Sequence, residues 1–405
     1  MDNLNVFVGS ILAGALTRQS GGYTFTYDSG YAGAPVFIGW TLHEPTKSWS
    51  DFPPAFDGLL PEGVLLEQLL VKHKLDRSDK WGQLAAVGQD LTGFLSIIPS
   101  AVDLRPVGKV EPGQRFKTRA KITPELNALP YDVAELVTFH SQRRLRMSIS
   151  GVQPKVAAIY SRKKKHFQIV EQNASYILKP SPQAYPGAAE NEVLTMALAR
   201  EAGLQVPPCG YVKSKDGKGV FWIERFDRWG QGNLHRLRCE DACQILDVPS
   251  SFKYAGNFET LARMIREHCS NPKLQLVRLF HRVLFCWVTG NGDMHLKNWS
   301  LIENGPLIEL SPVYDCLNTV VLTDDDEESA LALDGKKVGF NKELLIDYFA
   351  RDVCEINDRM IEKTLHQLRE VDWQSHIAQS EISASEQAGY LKVVTPRLNV
   401  IGASR

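Results

Sequence analysis

The sequence lacks the features that define several common classes of protein. Its seven cysteines include no Cys-x-x-Cys pair. Cys239 and Cys243 stand four positions apart, but no histidine at ligand spacing accompanies them, which argues against a zinc site. An odd number of cysteines without a disulfide pattern is typical of buried free thiols in a reducing compartment. We therefore expect a cytoplasmic protein.

An excess of one charge and long hydrophobic runs are absent as well. The net charge is −1, so the field of the whole molecule predicts neither nucleic-acid nor membrane binding. Asp2 lies where a signal peptide carries lysine or arginine, and the apolar run 6–16 is too short to span a bilayer. No GxxxxGK[ST] motif occurs, which excludes a Walker P-loop.

The order of strand-like and helix-like segments predicts an α+β protein of three parts. Hydrophobic residues make up 43% and charged residues 23% of the 405 residues, as in soluble globular proteins. Strand patterns at 6–9 and 23–27 precede helices, a β-rich stretch with one inserted helix covers 147–227, and the sequence beyond Leu237 is mostly helical. The predicted domains are 1–105, 106–236 and 237–405.

The stretch 290–298, Gly-Asn-Gly-Asp-Met-His-Leu-Lys-Asn, carries the clearest chemical signal. Asp293 and Asn298 have the Asp-x-x-x-x-Asn spacing of a protein-kinase catalytic loop. In that chemistry the aspartate accepts the proton of the attacking hydroxyl. The asparagine oxygen binds magnesium, because hard cations take oxygen ligands. Asp315 follows a short strand pair, where a second metal carboxylate is needed, so the pattern predicts phosphoryl transfer.

The remaining parts of a kinase occur in the expected order along the chain. The segment 148–155 is a candidate phosphate loop, in which Gly151 lets the backbone approach a nucleotide. Lys179 ends a strand, Glu192 on the following helix could pair with it, and 224–226 ends a strand where a hinge would lie. Each feature alone has an ordinary explanation, such as a surface lysine or a solvated glutamate. Their common order favours a two-lobed kinase-like fold.

Two alternative enzymes can be compared with this prediction. The segment 292–295 has the Gly-Asp-x-His pattern of a dinuclear metallophosphatase. That site requires several later histidines, but only His366 and His376 follow, both in helix-like sequence. A kinase-like phosphotransferase for a lipid or small metabolite stays open, because the same chemistry serves any hydroxyl.

These residues resemble a known family, the HipA-type serine/threonine kinase toxins of bacterial toxin–antitoxin systems. The resemblance extends over almost the whole chain. It rests on six blocks: Phe-Asp-Gly-Leu-Leu-Pro at 56–61, Ser-Ile-Ser-Gly-Val-Gln-Pro-Lys at 148–155, Glu-Arg-Phe-Asp-Arg at 224–228, Pro-Ser-Ser-Phe-Lys-Tyr at 249–254, Gly-Asp-Met-His-Leu-Lys-Asn at 292–298 and Tyr-Asp at 314–315.

The resemblance implies an ATP- and magnesium-dependent protein kinase with a small N-terminal α+β subdomain, a β-rich ATP lobe and a helical catalytic lobe. It implies that Asp293 accepts the proton and that Asn298 and Asp315 bind magnesium. The implied nucleotide contacts are Ser150, Gly151, Val152, Gln153, Pro154, Lys155, Lys179, Glu224, Arg225, Phe226, His295, Lys297 and Tyr314. Targets in the family include aminoacyl-tRNA synthetases, whose phosphorylation stops growth.

The resemblance also implies regulation and a partner. Family members are silenced by autophosphorylation of a loop serine, which matches Ser148 here, and Ser150 offers a second hydroxyl. A phosphate would add about −1.5 to −2 charges beside the ATP phosphates; the alternative is that both hydroxyls only bond the loop backbone. The fused N-terminal subdomain favours a small helix-turn-helix antitoxin as partner, with DNA contacted mainly through it. The alternative function is a subunit of a repressor complex with modest catalytic activity.

Overall fold

The computed structural model describes residues 2–108, 126–142, 154–229, 234–323 and 328–402. In these residues the chain forms two five-stranded antiparallel sheets, two smaller sheets of three and two strands, and a large group of helices. This mixture confirms the predicted α+β class. The seven cysteines are free thiols, and all except Cys209 are buried. None of the helices in the described ranges has both the length and the apolar composition needed to cross a bilayer.

The N-terminal unit is an antiparallel sheet packed against three helices. Its strands are β1 (Asp2–Val8), β2 (Ile11–Gln19), β3 (Gly22–Tyr27), β4 (Thr46–Trp49) and β5 (Leu95–Pro99), in the order β4-β3-β2-β1-β5. Its helices are α1 (Pro54–Asp57), α2 (Gly63–His73) and α3 (Lys80–Val87). Phe25, Phe37 and Phe56 are buried between the two layers, and the rings of Phe37 and Phe56 meet edge to face at 5.1 Å.

The second sheet carries the strand lysine that the sequence singles out. It contains β6 (Val156–Ser161), β7 (His166–Ile169), β8 (Tyr176–Pro180), β9 (Cys209–Lys213) and β10 (Gly219–Glu224), in the order β7-β6-β8-β10-β9, and its helices are α4 (Val133–Gln142) and α5 (Ala188–Glu201). Lys179 pairs with Phe221 across β8 and β10. Since side chains alternate along a strand, both lie on one face while Trp222 lies on the other. Phe221 packs in the core that includes α5.

The helical part surrounds the stretch 290–298. Short strands β11 (Arg228–Trp229), β12 (His235–Arg236) and β13 (Cys239–Asp241) lead into α6 (Ala242–Ile245), α7 (Phe258–His268) and α8 (Pro272–Val288). They are followed by β14 (Ser300–Asn304), β15 (Leu307–Leu310), α9 (Thr319–Thr323), a π-helix (Glu343–Val353), α10 (Asp358–Arg369), α11 (Trp373–Ala378) and α12 (Ala384–Val400). Most of α8 is buried, and β14 pairs with both β13 and β15. Rigid elements therefore position the stretch from both sides.

Buried charges connect the N-terminal unit to the rest of the chain. The Arg228 guanidinium lies 2.7 Å from the Asp90 carboxylate, and both side chains are fully buried. Arg236 donates to the backbone carbonyls of Gly93 and Leu95 at 2.7 Å each. Buried charges are stable only when paired and hydrogen-bonded, so these contacts join the two parts firmly.

Candidate active site

A cavity of about 920 Å³, part of it open to solvent, lies between the second sheet, the stretch 290–298 and the N-terminal unit. Its lining combines apolar side chains with a few charged and polar groups, as small-molecule sites do. The sequence-predicted residues in its lining are Lys155, Lys179, Glu224, Arg225, Phe226, Lys297, Asn298, Tyr314 and Asp315. The N-terminal unit contributes Gly58, Leu59 and Thr92, for which the sequence predicted no role in the site.

Two lysines and two carboxylates form an ion-pair cluster at one side of the cavity. The Lys179 ammonium lies 2.5 Å from Glu192 Oε1 on α5 and 2.5 Å from Asp315 Oδ1. Lys155, at the start of β6, lies 3.4 Å from Asp315 Oδ2. The pairing of Lys179 with Glu192 confirms the expectation from the sequence. Asp315 also has a φ of 57°, in the left-handed region, where a non-glycine residue is uncommon and marks a functional site more often than a random position.

The protonation of this cluster follows from burial and from its neighbours. Burial raises the pKa of Glu192 to about 7, although the Lys179 ammonium opposes that shift. The pKa of Asp315 is lowered, because Lys155 and Lys179 outweigh the effect of burial. Burial lowers the pKa of Lys155, and Asp315 partly restores it. The cluster therefore keeps Asp315 ionised beside the Lys179 ammonium, with Lys155 next to it, an arrangement suited to binding phosphates and a metal ion.

Asp293 and Asn298 lie next to each other in the catalytic-loop stretch. The side-chain amide of Asn298 (Nδ2) donates a hydrogen bond to the backbone oxygen of Asp293 at 2.8 Å. The Tyr254 hydroxyl donates to Asp293 Oδ1 at 2.8 Å. Burial raises the pKa of Asp293, and the hydrogen bond from Tyr254 opposes the shift. A carboxylate with a raised pKa that solvent can still reach has the properties of a general base.

The loop is tied to the segment that follows Asp315. The Gly292 amide donates to Thr319 Oγ1 at 2.8 Å, and the Asn291 side chain donates to Cys316 Sγ at 3.4 Å. Gly290 has a φ of +71°, which glycine adopts without strain. These contacts bring the chain segments that carry Asp293 and Asp315 together.

The side chains of Lys297 and His295 both make close contacts with other groups of the protein. The Lys297 ammonium donates to Gly58 O at 2.8 Å and lies 3.3 Å from Glu62 and 3.4 Å from Asp241. It is therefore surrounded by oxygen atoms of the protein. The ring of His295 meets the ring of Tyr254 edge to face at 5.0 Å. Burial lowers the pKa of His295 to about 4, so the imidazole is neutral at physiological pH.

Two aromatic rings also line the cavity. The rings of Phe226 and Tyr314 lie 5.5 Å apart, and the Tyr314 hydroxyl donates to the backbone oxygen of Lys297 at 2.9 Å. Arg225 donates to both carboxylate oxygens of Asp227, at 2.8 and 2.7 Å. Together with Glu224, the last residue of β10, these residues line part of the cavity, where the two rings offer apolar surface to a planar base.

Part of the predicted phosphate loop lies outside the described residues. These positions are Ser148, Ser150, Gly151, Val152 and Gln153. Pro154 and Lys155 are described and buried. The predicted nucleotide contacts of Ser150, Gly151, Val152 and Gln153 stay predictions, as does the predicted phosphorylation of Ser148 or Ser150.

The donor set of the cavity fits a magnesium ion. In the described ranges, no group of three or more His, Cys, Asp or Glu side chains could hold a metal ion by themselves. Magnesium, however, is usually bound by one or two protein carboxylates together with phosphates of the substrate. Asp315 and Asn298 both line the cavity and provide such oxygen atoms.

Sequence reasoning missed several residues that touch the site. Tyr254 is the last residue of the block 249–254, but the sequence predicted no role for it. Glu62 directly follows the block 56–61 and had no predicted role either. Asp241, which contacts Lys297, had no motif to mark it. These residues come from distant parts of the chain, so only the two blocks gave any signal for them.

Comparisons with known proteins agree with this geometry. A family model described as HipA-like C-terminal domain matches residues 147–374, and one described as HipA N-terminal domain matches residues 4–98. The Sinorhizobium fredii protein named "Putative kinase Y4mE" is 32% identical over 294 residues, which are 70% of this chain and 68% of that protein. In two further relatives named as kinases, the matched region spans 62% and 65% of their own lengths.

A toxin and a solved complex extend the comparison to most of the chain. The Serine/threonine-protein kinase toxin HipA of Shewanella oneidensis is 26% identical over 357 residues, which are 82% of this chain and 78% of that protein. One chain of the solved complex of HipA, HipB and operator DNA from the same organism matches 99% of this chain over 97% of its own length, with a TM-score of 0.75 and 21% identity. At that identity the likeness shows the fold.

Proposed function

The chain belongs to the HipA family, and from this premise we propose that it is a serine/threonine protein kinase that uses ATP and magnesium. The observation that carries the proposal is the cluster of Lys179, Glu192 and Asp315 at a cavity that Asn298 also lines. Protein kinases require both the lysine–glutamate pair and the metal-binding aspartate in place at once. The names of the related proteins support kinase activity in general.

The residues would divide the work in the following way. The base of ATP would stack near Phe226 and Tyr314, and its phosphates would lie near Lys155 and Lys179. Asn298 and Asp315 would bind magnesium, which supplies positive charge to the phosphates. Asp293 would accept the proton of the acceptor hydroxyl, for which its raised pKa suits it.

We further propose that the acceptor is a protein, with an aminoacyl-tRNA synthetase as the candidate class, and that its phosphorylation inhibits growth. The Shewanella complex contains HipB and operator DNA, which supports a small DNA-binding antitoxin as partner of this chain. DNA would then be contacted mainly through the antitoxin. Autophosphorylation at Ser148 or Ser150 is proposed as the means of self-inactivation.

A labelling experiment tests the chemistry. The purified full chain and its Asp293→Asn variant are incubated with γ-labelled ATP, magnesium and a dialysed cell lysate. The wild type is expected to label proteins, itself included, while Asp293→Asn binds ATP with similar affinity but labels none. Equal labelling by the two forms, or no labelling by either, contradicts the kinase proposal.

A second experiment in cells tests the biological role. Both forms are expressed, growth is followed, and phosphopeptides are compared by mass spectrometry. The wild type is expected to slow growth and to add phosphate to one target protein and to the loop 148–155, and Asp293→Asn to do neither. Growth inhibition that persists with Asp293→Asn would favour the alternative in which the chain acts mainly as a subunit of a repressor complex.

A further inference from the structure

Glu62 of the N-terminal unit contacts two lysines of the helical part. Its Oε2 accepts a hydrogen bond from Lys253 Nζ at 2.7 Å, and its Oε1 lies 3.3 Å from Lys297 Nζ. Lys253 is 9% exposed and Lys297 is 4% exposed. Ammonium groups that are so well shielded from water require nearby negative charge. Glu62 therefore pairs with two buried cations in another part of the molecule, and Lys297 also lies 3.4 Å from Asp241.

Each of these lysines adjoins a residue that contacts Asp293. Lys253 precedes Tyr254, whose hydroxyl is bonded to Asp293 Oδ1 at 2.8 Å. Lys297 precedes Asn298, whose side-chain amide donates a hydrogen bond to the backbone oxygen of Asp293 at 2.8 Å. The two segments are also linked directly, because the Leu296 amide donates to the Lys253 carbonyl at 3.0 Å. Glu62 thus holds both chain segments that contact Asp293.

The residues just before Glu62 reinforce the contact. Asp57 Oδ2 accepts a hydrogen bond from the Ser250 amide at 2.7 Å and another from the Ser250 hydroxyl. The Gly58 carbonyl accepts from Lys297 at 2.8 Å, and Gly58 also lines the cavity. The segment 57–62 therefore contacts 250–253 and 297 at several independent points. The Glu62 carboxylate contacts a residue of each of these two regions, Lys253 and Lys297.

We propose that the N-terminal unit is a working part of the kinase site, and that Glu62 is a positioning residue for it. By binding Lys253 and Lys297, Glu62 keeps Tyr254 and Asn298 against Asp293 in the arrangement needed for phosphate transfer. Glu62 acts through these neighbours and does not touch the reacting atoms. The inference rests on the proposed kinase function.

Neutralising Glu62 should change the rate of transfer more than the binding of ATP. Glutamine has nearly the shape of glutamate but lacks its charge, so Lys253 would lose the carboxylate that it contacts, and Lys297 would lose Glu62 but keep Asp241. Lys253 and Lys297 would then turn toward water or toward Asp241, and the segments that contact Asp293 would move. Displacements of about 1 Å at a catalytic group can lower a rate about 100-fold.

The test uses the full chain in four forms. These are the wild type, Glu62→Gln, Glu62→Asp and the control Glu67→Gln, which removes an exposed carboxylate of α2 paired with Arg77. Three quantities are measured: the transfer rate at saturating ATP with a dialysed lysate as acceptor, the affinity and stoichiometry of ATP binding, and amide hydrogen exchange of 250–256 and 293–298. The stoichiometry of ATP binding reports the fraction of correctly folded molecules.

Glu62→Gln is expected to transfer phosphate about 10- to 100-fold more slowly while binding ATP with unchanged stoichiometry and similar affinity. Exchange should be faster in 250–256 and 293–298, Glu62→Asp should recover part of the rate, and Glu67→Gln should match the wild type. A wild-type rate in Glu62→Gln, or an equal loss of ATP binding, overturns the inference. If the wild type transfers no phosphate, the proposed function fails. Hydrogen exchange then decides the inference, and unchanged exchange in Glu62→Gln contradicts it.

Discussion

Tyr254 places its hydroxyl 2.8 Å from Asp293 Oδ1, although 44% of its side chain is exposed to solvent. The neighbours of Asp293 shift the pKa of its carboxyl group in known directions. Burial raises the pKa of Asp293, and the hydrogen bond from Tyr254 lowers it, because a donated hydrogen bond stabilises the ionised form.

Replacing this hydroxyl should shift the pH dependence of the proposed reaction. In Tyr254→Phe, burial acts on Asp293 without the opposing hydrogen bond, so the pKa of the carboxyl rises further. Asp293 must be ionised to accept a proton, and the acid limb of the rate against pH should therefore move to higher pH. The rate is measured across pH for the wild type, Tyr254→Phe and Tyr185→Phe, a control in which an equally exposed tyrosine is changed. An acid limb that moves in neither variant would contradict this assignment.

At the scale of elements, the turn at Gly290 determines how the catalytic-loop stretch leaves α8. A Cβ atom built on Gly290, at φ +71°, would lie 2.8 Å from Asn318 Oδ1 and 2.9 Å from Val393 Cγ1. Gly335 has nearly the same φ, +73°, but no atom lies within 4 Å of such a Cβ. The two glycines therefore share the same backbone strain and differ in their surroundings.

This pair allows the effect of contact to be separated from the effect of backbone strain. Each Gly→Ala substitution forces an alanine into the left-handed region, at a cost of about 1–2 kcal/mol. Gly290→Ala should lose more of the free energy of unfolding than Gly335→Ala, because Asn318 must also move. Urea denaturation of both variants and the wild type measures the difference. Equal losses would show that the Asn318 contact imposes no constraint.

The elements around the cavity could largely be predicted from local patterns. The strand before Lys179 and the helix that carries Glu192 have clear periodicity, and their pairing is confirmed by the 2.5 Å contact. β2 was missed, because the residues 11–16 are apolar on both faces and show no alternation. The structure has three strands, β1 to β3, where two were predicted.

The contacts of the N-terminal unit with the site could not be predicted in this way. The bond between Glu62 and Lys253 joins residues 191 positions apart, and the one between Gly58 and Lys297 joins residues 239 positions apart. Neither hydrophobic period nor motif spacing carries information over such distances. The domain boundaries and the individual roles of the site residues stay predictions.

At the scale of the whole molecule, the proposed role of Glu62 requires that the N-terminal unit stay attached. Asp90 and Arg228 form a fully buried pair at 2.7 Å across this boundary, and Arg236 donates to several backbone carbonyls of the N-terminal unit. The pKa of Asp90 is lowered: burial raises it, but Arg228 and Arg236 lower it more. The carboxylate is therefore ionised in the folded protein and neutralises guanidinium charge that is shielded from water.

Removing this carboxylate should destabilise the protein, by an amount that depends on pH. Asp90→Ala leaves Arg228 buried without its main counter-ion, which costs about 3–5 kcal/mol, whereas Glu362→Ala, in an exposed pair with Arg369, should cost about 0–1 kcal/mol. Because the pKa of Asp90 in the folded state is lower than its ordinary value of 3.8, its contribution is complete above that pH and declines as the pH falls below it. Denaturant unfolding of the wild type and both variants at neutral and at acid pH measures these losses. A loss for Asp90→Ala as small as that for Glu362→Ala at neutral pH would show that this pair does not join the N-terminal unit to the site.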